Sequence, residues 1–136
     1  MAAKLTVRSY AKNVDQAPRK VAIVAALVRN RSVADALVIL EHVPRRAALP
    51  VIKAIESAKA NAVNTHGLDG KTLDISTISV TVGTRLKRFK PASRGRALPF
   101  EKKTSNSLVE VTGGEKPKKK PAAKVANATA VKKEEK

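Results

Sequence analysis

Between Arg85 and Lys103 the chain reads RLKRFKPASRGRALPFEKK, with Arg85, Lys87, Arg88, Lys90, Arg94, Arg96, Lys102 and Lys103 set against a single acid, Glu101. Guanidinium forks and ammonium groups at this density suit one chemistry above others, the neutralisation of phosphate oxygens. The apolar residues among them, Leu86, Phe89, Ala97, Leu98 and Phe100, are too irregular to bury a face. Like charge of this density cannot be packed against protein, because each unpaired buried charge is costly to desolvate. Ala and Gly in the same stretch let a nucleic-acid backbone approach closely. Phe89 and Phe100 have two readings, stacking on bases or packing that pins the base of the arm, of which packing is the expected one.

Other side chains with chemical potential are sparser. Arg29 and Arg31, with Arg45 and Arg46, fall at expected helix ends and loops and read equally as solvated surface or as a second phosphate contact. Arg19 and Lys20 fall in the first turn of an expected helix, where the dipole disfavours cations, so a nearby anion is implied. His42 and His66 have no second ligand at a metal-site spacing and read as surface or capping residues. The acids are dispersed; Asp69 suits a turn and Asp74 a strand start. No nucleophile–base pair, phosphate-binding glycine loop or carboxylate pair is defensible, and with no cysteine there is no thiol or disulfide chemistry. The expectation is a protein with no enzymatic activity, cofactor or metal.

The elements that must hold the arm can be read from periodicity. Residues 4–12 alternate as a strand. Pro18 opens a helix in which Val21, Val24, Ala25 and Val28 share a face that Ile23 and Leu27 widen. Ser32 and Asp35 form a capping-box pattern ahead of a second helix whose inner face is Ala36, Leu37, Ile39 and Leu40. Pro44 looks like the start of a third, longer helix with Ala48, Val51, Ile52, Ile55, Ala58 and Ala62 inside, closed by His66-Gly67. Pro50 then falls inside that helix, which predicts either a kink or regularity only beyond it. LDISTISVTV and TSNSLVEVT read as two strands, the first with a bulge near Ser76–Thr77 where the apolar parity changes. Because these strands flank it, the basic stretch becomes an arm, residues 84–103. It turns near Pro91 and Gly95, and about nine extended residues a side would reach on the order of 30 Å.

Charge is concentrated accordingly. Of a net +17, residues 84–103 carry eight basic side chains against one acid, whereas residues 1–83 carry 12 against 6. Residues 1–112 read as one domain. Residues 113–136 read as a disordered Lys/Ala/Pro-rich tail, too polar to offset chain entropy. The N-terminus has no apolar signal core and no run approaches a membrane span, so a cytoplasmic location is expected.

The order PRKVAIVAALVRNRSVADALVIL, PRRAALPVIKAIESAKANA, LKRFKPASRGRA and KKTSNSLVEV resembles the bacterial family of large-subunit ribosomal protein twenty-two, over roughly residues 14–112. The most specific pieces are Glu56–Ala62, Leu86–Ala97 and Lys102–Ser105. The resemblance implies an α+β fold, three helices packed on a small antiparallel three-stranded sheet with a long protruding β-hairpin. It implies a domain on the outer surface of the large subunit, contacting ribosomal RNA and neighbouring ribosomal proteins and supporting assembly. The hairpin would thread inward so that Arg88, Phe89, Lys90, Pro91, Ala92, Ser93 and Arg94 line the nascent-peptide exit tunnel and meet the emerging chain. Neither a membrane nor a homo-oligomer is expected. Departures from the family pattern fall at the arm's junction (Thr81-Val82-Gly83-Thr84 in place of an acidic stretch with proline), at Ala92-Ser93, at Asn106 and at Pro50. Two alternatives stand beside this reading: a free architectural nucleic-acid-binding protein whose hairpin clasps DNA or RNA, and an assembly factor that leaves the mature ribosome.

Overall fold

The computed structural model describes residues 5–114. Its elements are β1 (Leu5–Val14), α1 (Pro18–Val28), α2 (Val33–Glu41), α3 (Ala48–Asn64), β2 (Asp74–Pro91) and β3 (Ala97–Gly113), with a short 3₁₀ turn at Ser93–Gly95. The three strands form one antiparallel sheet in the order β1-β3-β2, so the expected α+β class and strand count hold. The tail from residue 115 onward lies outside the described residues.

Pairing with β3 sets up cross-strand rows: Val7–Val111–Ile75, then Ser9–Val109–Ile78, then Ala11–Ser107–Val80. Residues directly opposite one another share a face, and this one meets the helices. There Val21, Val24, Val28, Val51, Ile55 and Leu40 are fully buried with Ile75, Ile78, Val109 and Val111. Leu68 and Leu73 close the lower edge. The parity change foreseen in β2 is a bulge at Ser76, between the pairs Ile75↔Val111 and Thr77↔Glu110.

Pro18 occupies the first turn of α1, where its missing N–H had no partner to lose. The Ser32 hydroxyl accepts the Asp35 N–H at 3.1 Å and caps α2. Gly67, at φ +63, reverses the chain after α3 in a conformation that a side chain disfavours, and the Leu68 N–H returns to the Ala62 carbonyl at 3.0 Å.

Two expectations are corrected. Pro44 does not start α3: residues 43–47 form a turn, with Arg45 N–H on Val43 and Ala48 N–H on Arg45, and the helix begins at Ala48. Pro50 is therefore in the first turn, where no intrahelical bond is lost, and the helix runs regularly beyond it. Ile23 and Leu27 do not widen the buried face of α1; they are 48% and 46% exposed, because the sheet covers only the Val21/Val24/Val28 stripe. As expected of a protruding hairpin, β2 and β3 run on into the arm as one continuous ladder.

Candidate nucleic-acid interface

The arm leaves the sheet at a second bulge, where Gly83 and Thr84 oppose Thr104 between the pairs Val82↔Ser105 and Arg85↔Lys103. Gly83 is required there. A Cβ on it would stand 2.5 Å from the Thr104 hydroxyl oxygen and 3.2 Å from the Thr104 carbonyl carbon. Polar contacts knot the root together. Thr104 donates its hydroxyl to the Thr84 carbonyl (2.8 Å), Thr84 donates to Asn13 Oδ1 (3.2 Å), and Asn13 donates its N–H to Asn106 Oδ1 (2.8 Å). Lys102 pairs with Asp15 at 3.1 Å. The end of β1 thereby holds both strands of the arm. Of these root residues only Lys102 stood out as functional in the sequence, although a glycine inside a strand run is a known sign of a bulge.

Beyond the root, the ladder runs from Arg85↔Lys103 to Pro91↔Ala97. That is seven residues a side, or about 20 Å, shorter than the expected reach. Ser93–Gly95 turns the tip, with Arg94 and Gly95 both left-handed (φ +57 and +70) and the Ala92 N–H bonded to the Arg96 carbonyl at 2.8 Å. Every residue of the arm from Arg85 to Pro91 is exposed.

Arg85 lies 3.8 Å from Glu101, in a pair exposed enough to contribute little. Lys87, Arg88, Lys90, Arg94, Arg96 and Lys103 have no acidic partner among the described residues. The arm thus keeps most of its positive charge uncompensated on a slender two-stranded rod, an arrangement that attracts a polyanion from all sides.

Phe89 and Phe100 do not pin the arm's base. Phe89 is 75% exposed, near the tip. Phe100 is 40% exposed, with the Lys90 ammonium 5.2 Å from its ring centroid. The packing expectation fails because the arm is only one sheet thick and has nothing to pack on.

The remaining basic residues divide into separate groups. Lys20, Arg45 and Arg46 come together with Gln16 around a cleft of about 440 Å³ beside the start of α1. Arg46 also borders the neighbouring depression of Asp15, Leu49, Pro50 and Lys53, and Lys53 is a cation that the sequence reading passed over. Arg29 is elsewhere: its guanidinium donates to the Ile78 carbonyl at 3.2 Å, tying α1 to the outer edge of β2. Arg31 turns back to donate to the Leu27 carbonyl at 3.1 Å, at the C-terminal end of α1, where a cation is favourable. Arg29 and Arg31 therefore share no site with Arg45 and Arg46. Arg19 is exposed at the start of α1. Among the described residues no group of histidines and acids could hold a metal ion, and no helix is long and apolar enough to cross a membrane.

Known proteins with this pattern are numerous. The family profile described as ribosomal protein L22p/L17e matches residues 9–112. Large ribosomal subunit protein uL22 of Metamycoplasma hominis is 46% identical over 95 residues, covering 70% of this chain and 74% of that protein. The uL22 of Pediococcus pentosaceus is 43% identical over 113 residues, 82% and 96% of the two chains. That of Mesoplasma florum is 41% identical over 108 residues, 79% and 96%. The matched span takes in six of the ten residues of β1, the three helices, both strands of the arm and its tip. On that coverage the chain belongs to the ribosomal protein L22p/L17e family, a family of structural, non-enzymatic ribosomal proteins.

Proposed function

We propose that this protein is a structural constituent of the large ribosomal subunit in the cytoplasm, and that it binds the subunit's RNA through its helical domain and its hairpin together. The observation that carries this reading is the two-stranded arm from Arg85 to Lys103, anchored at its root and bearing six cations with no acidic partner among the described residues. Its mechanism is electrostatic and geometric. The cleft of Lys20, Arg45 and Arg46 supplies a phosphate contact on the domain. The arm places Lys87, Arg88, Lys90, Arg94, Arg96 and Lys103 between RNA segments that would otherwise repel one another. Contacts of this kind fix position and carry little base-edge information, so recognition follows RNA shape. Screening the repulsion between segments also favours subunit assembly.

The tip, Arg88–Arg94, lines the nascent-peptide exit tunnel in this reading, with an emerging chain and neighbouring ribosomal proteins as further partners. Cryo-microscopy of native ribosomes from the source cell tests it: density for residues 84–103 should lie within large-subunit RNA, with the tip at the tunnel wall. Empty RNA along that path would overturn the reading. Sedimentation separates it from its rivals. A free architectural protein would follow nucleoid or soluble RNA, and an assembly factor would be found on precursor particles alone.

A further inference from the structure

The unbroken register of the arm gives it two chemically different faces, since directly opposed residues of a ladder project to the same side. One face alternates cations with apolar groups, and its ring, Phe100, already has the Lys90 ammonium 5.2 Å from its centroid. The other face is graded. Near the root it carries Arg85, Lys87 and Lys103 around one acid, Glu101, which lies directly opposite Lys87; toward the tip it turns apolar, with Phe89 directly opposite Pro99 and Pro91 directly opposite Ala97. Phe89 is the most exposed large apolar side chain described, at 75%, and no cation lies over its ring among the described residues. Because prolines stand beside and across from it, little local freedom is lost when something settles on the ring.

We infer that Phe89 is a stacking platform for one unpaired base of the bound RNA, with Lys87 as the contact for that nucleotide's phosphate. The inference rests on the RNA-binding reading and adds a ligand chemistry to it. Lys87 and Phe89 are two residues apart on one face, about 7 Å, a separation that one nucleotide's base and phosphate span. An apolar peptide segment would also cover the ring, but it would bring no anion to Arg85, Lys87 and Lys103, three cations that share this face with one acid, Glu101. A nucleotide brings the flat π surface and the anion together, and base–aromatic stacking tolerates any base.

The full chain, titrated against protein-free large-subunit rRNA at several salt concentrations, provides the test. Phe89→Leu should keep the wild-type circular dichroism and lower affinity about 5- to 150-fold. The slope of log K against log salt should stay unchanged, since no phosphate contact is lost. Lys87→Ala should instead make that slope shallower. The chain has no tryptophan, so Phe89→Trp places a single emitter at the site. It should restore binding, and its fluorescence should be quenched by RNA. Wild-type affinity in Phe89→Leu, or unquenched emission from a bound Phe89→Trp chain, overturns the stacking platform. If the triple variant Arg88→Ala/Arg94→Ala/Arg96→Ala still weakens binding in that case, the RNA-binding reading survives without it. If neither variant changes affinity, both readings fall.

Discussion

Thr104 donates its hydroxyl to the carbonyl of Thr84 across 2.8 Å, and this bond closes the bulge at which the arm departs from the sheet. The same hydroxyl oxygen fills the space that a side chain on Gly83 would need. One residue therefore ties the arm down and dictates its neighbour's identity. The junction itself reads Thr81-Val82-Gly83-Thr84, without acid or proline, and a hydrogen-bonded knot of Asn13, Thr84, Thr104 and Asn106 holds it.

Gly83→Ala should accordingly shift the arm's root, because the added carbon meets backbone as well as a side chain. We expect a loss of about 1–3 kcal/mol in urea unfolding, the usual cost of overpacking. Weaker RNA binding should accompany it. A wild-type melting curve for this variant would show that the bulge relaxes freely.

Arg88→Ala/Arg94→Ala/Arg96→Ala should leave the domain folded, since all three side chains are exposed. Its affinity for RNA should drop, and the salt slope should become shallower by roughly 2–3 if all three meet phosphates. Circular dichroism and a salt titration read both effects. Global unfolding would mean that the arm belongs to the core.

A contrasting pair tests the layering. Ile55→Ala, at a fully buried position facing the sheet, should cost about 2–5 kcal/mol. Ile23→Ala on the outer side of α1 should cost well under half as much. Equal losses would contradict the assigned faces.

Ser105 and Ser107 have buried hydroxyl oxygens with no hydrogen-bond partner. Ser105→Ala should therefore be neutral or stabilise the fold by about 1 kcal/mol. A clear loss in thermal melts would reveal a partner, such as a held water.

Local rules carried the reading of this fold as far as local rules reach. Ser32 and Asp35, the Pro18 helix start and the Ser76 bulge each depend on a few consecutive residues, and each appears in the structure. Pro44 reads as the helix start because it is the first proline met, yet α3 begins at Ala48 and it is Pro50 that falls in the first turn, since residues 43–47 form a turn. Periodicity marked Ile23 and Leu27 as apolar but could not say how wide a stripe the sheet would cover. The arm was legible because its charge density is local. Its anchorage was not: Asn13 meets Asn106, and Arg29 meets Ile78, only after the chain has folded back on itself. Phe89 was misjudged for a related reason, since a rod one sheet thick offers an aromatic ring no interior.

The strand order β1-β3-β2 has a consequence for synthesis. The central strand is the last to be made, so β1, the first, waits for a partner until residues 97–113 have left the ribosome that builds them. The helices can form early, but the sheet beneath them cannot, and pairing across so long a stretch of chain is intrinsically slow. The returning strand of the arm is thus also the keystone of the domain. A chain released before Ala97 would lack the returning strand of the arm and the sheet in a single stroke.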